Sequence, residues 1–329
     1  MRRSKKVFEL GEIETIRSIL RILKPVINRN ACFPTEDDVQ ALDGCEIAVK
    51  IDGYSESMSR YPWESLRDWG WRAVTGPISD LSAKGYRAVG IVYSLGIPRN
   101  MELSTVKDLA RGIREALHWY EASFLGGDLN SSRGEIWIDV AAIGKLSSGY
   151  PIPRNGANPG DKVFTTVQNG YGKPGLLYNL FVSGAWKKAS RRLLSFRPAA
   201  VTSFSELARL IRIDSAIDSS DGLAKSLRLI AESSEISIEL SRIPISNYMR
   251  KLLRKFSVDP LQATLFGGEE YEIIFTTSEP VERVIEACRA VGIRCLEIGR
   301  ALRGDGKIFY KGKEILGEGW DHFRSGEDH

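Results

Sequence analysis

Histidine is almost absent: His118, His322 and His329 are the only three in 329 residues. His118 falls in "REALHWYEASF", an ordinary helix-surface setting. Chemistry built on an imidazole base is therefore not expected, which leaves carboxylates and metal ions. Cysteine is scarce, and Cys32, Cys45, Cys288 and Cys295 form no C-x-x-C pair. Neither a disulfide framework nor a zinc site is expected, and a reducing cytoplasm fits best. No apolar run approaches the roughly 20 residues of a membrane helix, and the basic "MRRSKK" leads into "VFELGEIE", not into a signal-peptide core. Charge of one sign is lacking too, with 46 Lys and Arg against 42 Asp and Glu. No stretch interleaves basic and aromatic residues as a nucleic-acid groove would, so neither nucleic acid nor membrane is an expected partner. No G-x-x-x-x-G-K-[ST] loop occurs, and no G-x-G-x-x-G turn is expected between a strand and a helix. A nucleotide, if bound, is held without those devices.

What is present reads as about two domains of mixed α+β and α/β character. The spacing of Ile13, Ile16, Leu20, Leu23 and Ile27 predicts a helix ending near Pro25. "EIAVKIDG", "RAVGIVYSLGIP" and "GEIWIDVAAIGKL" read as strands. "WESLRDWGWRAVTGPISDLSAKG" reads as a helix in two pieces broken at Gly76–Pro77, and "STVKDLARGIREALHWYEASF" as a helix running to Phe124. The Pro/Gly/Asn-rich stretch from Ser147 marks a boundary near residue 150, giving units 1–150 and 151–329. Beyond it, strands are expected at "KVFTTV", "SAID", "SIEL", "EEYEIIFTT", "CLEIGRAL" and "KIFYKGKEI", with helices between most of them.

Acidic residues recur where apolar strands end or turn: Asp37 and Asp38, Asp52, Asp80, Asp128, Asp218 and Asp221, Glu269 and Glu270. Any single one can be a cap or a turn residue. As a set, with glycines before Asp128 and Glu269, they point to hard oxygen ligands for several Mg²⁺ ions around a polyphosphate. "DSSDGL" at 218–223 is the densest case, a doubly acidic corner where a phosphate loop would carry a lysine.

Six motifs then occur in one order: "SDLSAKG", "FLGGD", "RNGANPGDKVFTT", "IDSSDGL", "FGGEEYEIIFT" and "GWDHF". Together with the opening "ELGEIETI" they resemble the thiamine-monophosphate kinase family, a branch of the aminoimidazole ribonucleotide synthetase-like superfamily, over nearly the whole chain. The resemblance implies an N-terminal domain that pairs across a homodimer into a barrel, a C-terminal α/β domain, and ATP held near their junction. It implies transfer of the ATP γ-phosphoryl group to thiamine monophosphate. It also implies Mg²⁺ ligands at Asp37, Asp38, Asp52, Asp80, Asp128, Asp218 and Asp221, with Asp80 and Asp221 closest to the chemistry. Gly127, Asp128, Arg154 and Ser220 would hold the nucleotide. Glu269, Trp320 and Ser59 would meet the acceptor. The chain departs from the family at Lys50 and Ile51, which replace two hydroxyl residues, and at Ser59 and Arg60, where a histidine is usual. A different phosphorylated acceptor, or a nucleotide-binding paralogue without turnover, are the alternatives these departures raise.

Overall fold

The computed structural model describes residues 6–27, 31–42 and 44–317. Two sheets dominate. The first contains β1 (Gln40–Leu42), β2 (Ile47–Ser55), β3 (Tyr86–Pro98), β4 (Ser123–Ser132) and β5 (Trp137–Leu146) in the order β1-β2-β5-β3-β4. All neighbours are antiparallel except β3 and β4. The second contains β6 (Lys162–Thr166), β7 (Ser215–Asp218), β8 (Ile236–Leu240), β9 (Ile273–Thr277), β10 (Cys295–Arg303), β11 (Ile308–Tyr310) and β12 (Lys313–Glu314), ordered β12-β11-β8-β10-β6-β9-β7.

The alternation of β5 decides how the first sheet packs. Ile138, Val140, Ala142 and Gly144 are buried, while the residues between them are less so. Against the buried face lies the helix Leu66–Ala83, in which only Arg67 and Asp68 escape burial. The helix is buried all round because it has neighbours all round: β2, β3 and β5 on one side, the helix Leu103–Trp119 on another. Ser65 caps its N-terminus by accepting the Asp68 amide.

Three sequence expectations need correction. The helix does not break at Gly76–Pro77 but runs through both. Proline removes one backbone donor, and in a helix enclosed this completely the surrounding packing outweighs that loss. The helix expected to reach Phe124 stops at Trp119, and 123–132 forms strand β4 instead. Its extended backbone is stabilised by pairing with β3, a long-range contact that local propensity does not report. Finally, Cys32 and Cys45 form a disulfide, their Cα atoms 5.7 Å apart. Cys32 lies in the loop before β1 and Cys45 in the turn after it, and the chain between them folds back on itself, so spacing in sequence is a poor guide to spacing in the fold.

Candidate active site

The helix Leu66–Ala83 is the ruler of the site. Arg72, Gly76, Asp80 and Lys84, the last at its C-cap, recur every four residues and so share one side of it. Opposite stand Lys50, Asp52 and Tyr54 of β2, alternate residues on the face that the helix covers. A Cβ at Gly76 would fall 2.2 Å from the Tyr54 hydroxyl and 2.9 Å from Asp52 Oδ2. The glycine that reads as a breaker is thus what lets β2 approach.

At one end, carboxylates alternate with cations. Lys50 Nζ lies 3.1 Å from Asp52 Oδ1 and 2.8 Å from Asp80 Oδ2. Lys84, with a fully buried side chain, reaches Asp37 Oδ1 at 2.7 Å and Asp38 Oδ2 at 2.9 Å, and donates to the Ala216 carbonyl at 2.7 Å. Arg154 pairs with Asp38 at 3.1 Å, and its amide donates to Asp37 Oδ2. Asp37 also accepts the Asp38 amide, so both its oxygens are engaged. Ser220 donates to Asp218 Oδ1 at 3.0 Å, whereas the buried Asp218 Oδ2 makes no hydrogen bond.

The electrostatics follow from this packing. Burial alone would raise Asp38, but Lys84, Arg154 and Lys50 hold it below the usual carboxylate range. Burial pushes Asp80 up; Lys50 opposes this, and the charges of Asp218, Asp52 and Asp38 add to it. Burial works against the Lys50 ammonium, yet Asp80, Asp52 and Asp38 hold it charged. Burial likewise lifts Asp218 to about 6.

At the other end, the buried Arg72 takes Glu64 bidentately, both contacts at 2.7 Å, and its remaining nitrogen meets Glu269. Glu269 and Tyr271 both hold positive φ, 53° and 52°. Non-glycine residues rarely sit there without surrounding structure to impose it. That structure is the 218–222 loop: the Glu269 amide donates to the Ser220 carbonyl at 2.6 Å, and a Cβ at Gly268 would lie 2.9 Å from the same oxygen. Burial raises the Tyr54 hydroxyl, and the charges of Asp52 on one side and Glu269 on the other add to it, so this hydroxyl stands between the two ends.

The remaining expected site residues sit as follows. Asp221 pairs with Lys225 at 2.7 Å, and Lys225 also reaches Glu12. Ser59 accepts the Trp69 indole N–H and donates to the Ser55 carbonyl, and its own carbonyl accepts from Arg72. Glu270 is buried beside Glu269. Asp128 and Gly127 lie on the edge strand β4. Register pairs Asp128 with Ser94, and Ser94 with Asp139; this row stands on the sheet face opposite Lys50 and Asp52, and Asp128 bonds there with Asn130. Within one chain it does not join the cluster. Trp320 lies outside the described residues.

Among the described residues no three acidic, histidine or cysteine side chains converge on a single point. The carboxylates instead stand in pairs separated by Lys50 and Lys84. Mg²⁺ commonly takes one or two carboxylates and completes its shell with water and phosphate oxygens. The donor set, all hard oxygen with one buried oxygen unsatisfied, fits that pattern.

Sequence reasoning missed Arg72, Glu64 and Lys84. The four-residue spacing from Arg72 to Lys84 was the available signal. It also missed that 170–175, "GYGKPG", follows β6 and opens the helix Lys173–Val182 with the spacing G-x-G-x-x-G. It is no phosphate site of the dinucleotide kind. The amides of Asn169 and Gly170 donate to Glu272 at 2.6 and 2.7 Å, and β6 is antiparallel to both its neighbours.

A groove of about 630 Å³ adjoins Asp37 and Arg154. Arg17, Arg21 and Lys24 of the N-terminal helical segment line it as well.

Residues 36–146 match the family model "AIR synthase related protein, N-terminal domain". The thiamine-monophosphate kinase of Aquifex aeolicus is 30% identical over 324 residues, covering 96% of this chain and 99% of that protein. The chain belongs to the thiamine-monophosphate kinase family. The Pyrococcus abyssi member is 32% identical over 269 residues, with 79% of this chain and 81% of that one covered. Among solved structures, AaThiL complexed with AMPPCP and TMP superposes with a TM-score of 0.84 at 26% identity, covering 97% of this chain and 99% of its own. The protein tt0281 of Thermus thermophilus gives 0.81 at 27%, over 94% and 100%. The expected family, and with it the aminoimidazole ribonucleotide synthetase-like fold, are thereby confirmed.

Proposed function

We propose that this chain transfers the γ-phosphoryl group of ATP to thiamine monophosphate, giving thiamine diphosphate and ADP. The observation that carries the reading is the row of carboxylates from four separate segments, Asp38, Asp52, Asp80 and Asp218, interleaved with Lys50 and Lys84 at one end of the helix that carries the Arg72–Glu269 pair toward its other end. Its family supports the same reading: its relatives are named thiamine-monophosphate kinases, and a structure of this fold holds AMPPCP with TMP.

Phosphoryl transfer asks a protein for positioning and charge neutralisation more than for covalent help. Arg154, Lys50 and the cationic wall of the adjoining groove attract the triphosphate. Asp38, Asp52, Asp80, Asp218 and Asp221 are the residues that would hold Mg²⁺, while Asp37 holds Lys84 in place. Bound there, Mg²⁺ would neutralise phosphate charge and bring two anionic substrates within reach of each other. Glu269 offsets the positive thiazolium of the acceptor, and Trp320 is assigned to its aromatic ring.

Asp128 reaches a nucleotide only if its sheet face meets another chain. That face and its edge expose Ile51, Phe124, Leu125 and Leu129. An uncovered apolar edge supports a homodimer in which β4 is buried and Asp128 contributes across the interface. Units 1–150 and 151–329 then correspond to the dimerising half and the half that carries the Asp218–Asp221 and Glu269 loops. No helix among the described residues is long and apolar enough to cross a membrane, and a cytoplasmic setting is part of the same proposal.

A coupled assay of ADP release with thiamine monophosphate and Mg²⁺ tests the reading. Turnover dependent on both is expected; Mg²⁺-dependent ATP binding without turnover overturns it.

A further inference from the structure

Lys50 presents its ammonium at the point where Asp52, from β2, and Asp80, from the Leu66–Ala83 helix, converge. Its side chain is only 20% exposed. Two carboxylates from different elements meeting at one point are what a hard divalent ion ordinarily bridges. A compact ammonium with three donors suits the same point. Lys84 repeats the device one turn along, between Asp37 and Asp38. Counting formal charge, Asp37, Asp38, Asp52, Asp80 and Asp218 face Lys50, Lys84 and Arg154, which leaves two negative charges. That negative remainder favours a further cation, and Asp218 Oδ2, with the Ser79 hydroxyl beside it, has no close hydrogen-bond donor.

We propose that Lys50 is a built-in substitute for one divalent ion, its ammonium clamping Asp52 to Asp80, so that the site is completed with about one metal ion fewer than it would hold with a small neutral side chain there. Two of the three Lys50 donors are committed to carboxylates, and the third is available to a phosphate oxygen. The inference rests on the phosphoryl-transfer reading for the position of the phosphates. It does not depend on the identity of the acceptor.

The test counts metal without turnover. Mn²⁺ bound per full-length chain is measured by electron paramagnetic resonance in the presence of AMPPCP, for the wild type, Lys50→Ser and Lys50→Arg. Lys50→Ser is expected to bind about one more Mn²⁺ than the wild type, and Lys50→Arg, which keeps the charge, the wild-type number. Equal numbers in the wild type and Lys50→Ser overturn the proposal. Should Lys50→Ser fail to fold, anomalous scattering from wild-type crystals soaked in Mn²⁺ decides. No manganese is expected between Asp52 and Asp80, and a manganese bridging them overturns the proposal. A chain inert toward thiamine monophosphate would refute the acceptor assignment and leave these counts unchanged.

Discussion

Gly76 and Tyr54 touch so closely that any side chain at position 76 would displace the tyrosine hydroxyl, 2.2 Å from where a Cβ would stand. Gly76→Ala therefore sets two effects against each other. Alanine favours a helix interior by about 1 kcal/mol over glycine, while overpacking costs about 1–3 kcal/mol. The melting temperature is expected to fall only slightly. Turnover is expected to fall at least about tenfold, because Asp52 and Tyr54 are pushed off station together. Parallel thermal melts and steady-state kinetics read the two effects separately.

Lys84 has no solvent to retreat to. Lys84→Met leaves Asp37 and Asp38 buried with a cation missing, and removing one partner of a buried ion pair costs about 3–5 kcal/mol. Urea denaturation without ligands measures that loss. Restoring the pair's balance with Asp37→Asn on the Lys84→Met background is expected to recover part of it.

Glu269→Gln keeps the shape of the side chain and discards its charge. Arg72 retains its bidentate Glu64 partner, so the fold is expected to survive with little change. KM for thiamine monophosphate is expected to rise about tenfold through the lost charge complement, with KM for ATP unmoved. An equal rise in both would argue that Glu269 serves the loop and not the acceptor.

Sequence reasoning reached the carboxylates and stopped short of their partners. "DSSDGL" and "GGEE" announce themselves as acidic, glycine-flanked turns. Lys50 stands out only as a departure from the family pattern and Lys84 looks like an ordinary helix-end lysine; only the folded pairing of β2 with the 66–83 helix shows what they neutralise. Gly76–Pro77 misled because local rules describe a solvated helix, whereas this one is enclosed. Cys32 and Cys45 were unreadable for a related cause, since their proximity depends on how the chain folds back over the 13 positions that separate them. Asp128 was legible as a motif, but its sheet face depends on a register set by β3.

The pH dependence of stability adds a further check. Burial holds the Glu270 carboxyl well above the usual carboxylate range. The folded chain therefore keeps a proton that the unfolded chain releases above about pH 4.3. Bound protons are then more numerous in the folded state, so stability falls as pH rises beyond that point. Glu270→Gln is expected to flatten this decline and to be the more stable protein at neutral pH. Urea midpoints measured across pH 4 to 8 should diverge steadily, and parallel curves would contradict the assignment.

Arg72 and Asp80 stand eight positions apart on one continuous, enclosed helix, a span of about 12 Å at 1.5 Å per residue. Neither can move toward the other without dislodging the sheet. With Glu269, held by Arg72, meeting the cationic head and Asp80 meeting the phosphate through a bound cation, as proposed above, a molecule whose head and phosphate are spaced far from that interval would engage one anchor and forfeit the other. Discrimination of this kind needs no moving part, and it would survive repacking of almost everything else around the helix.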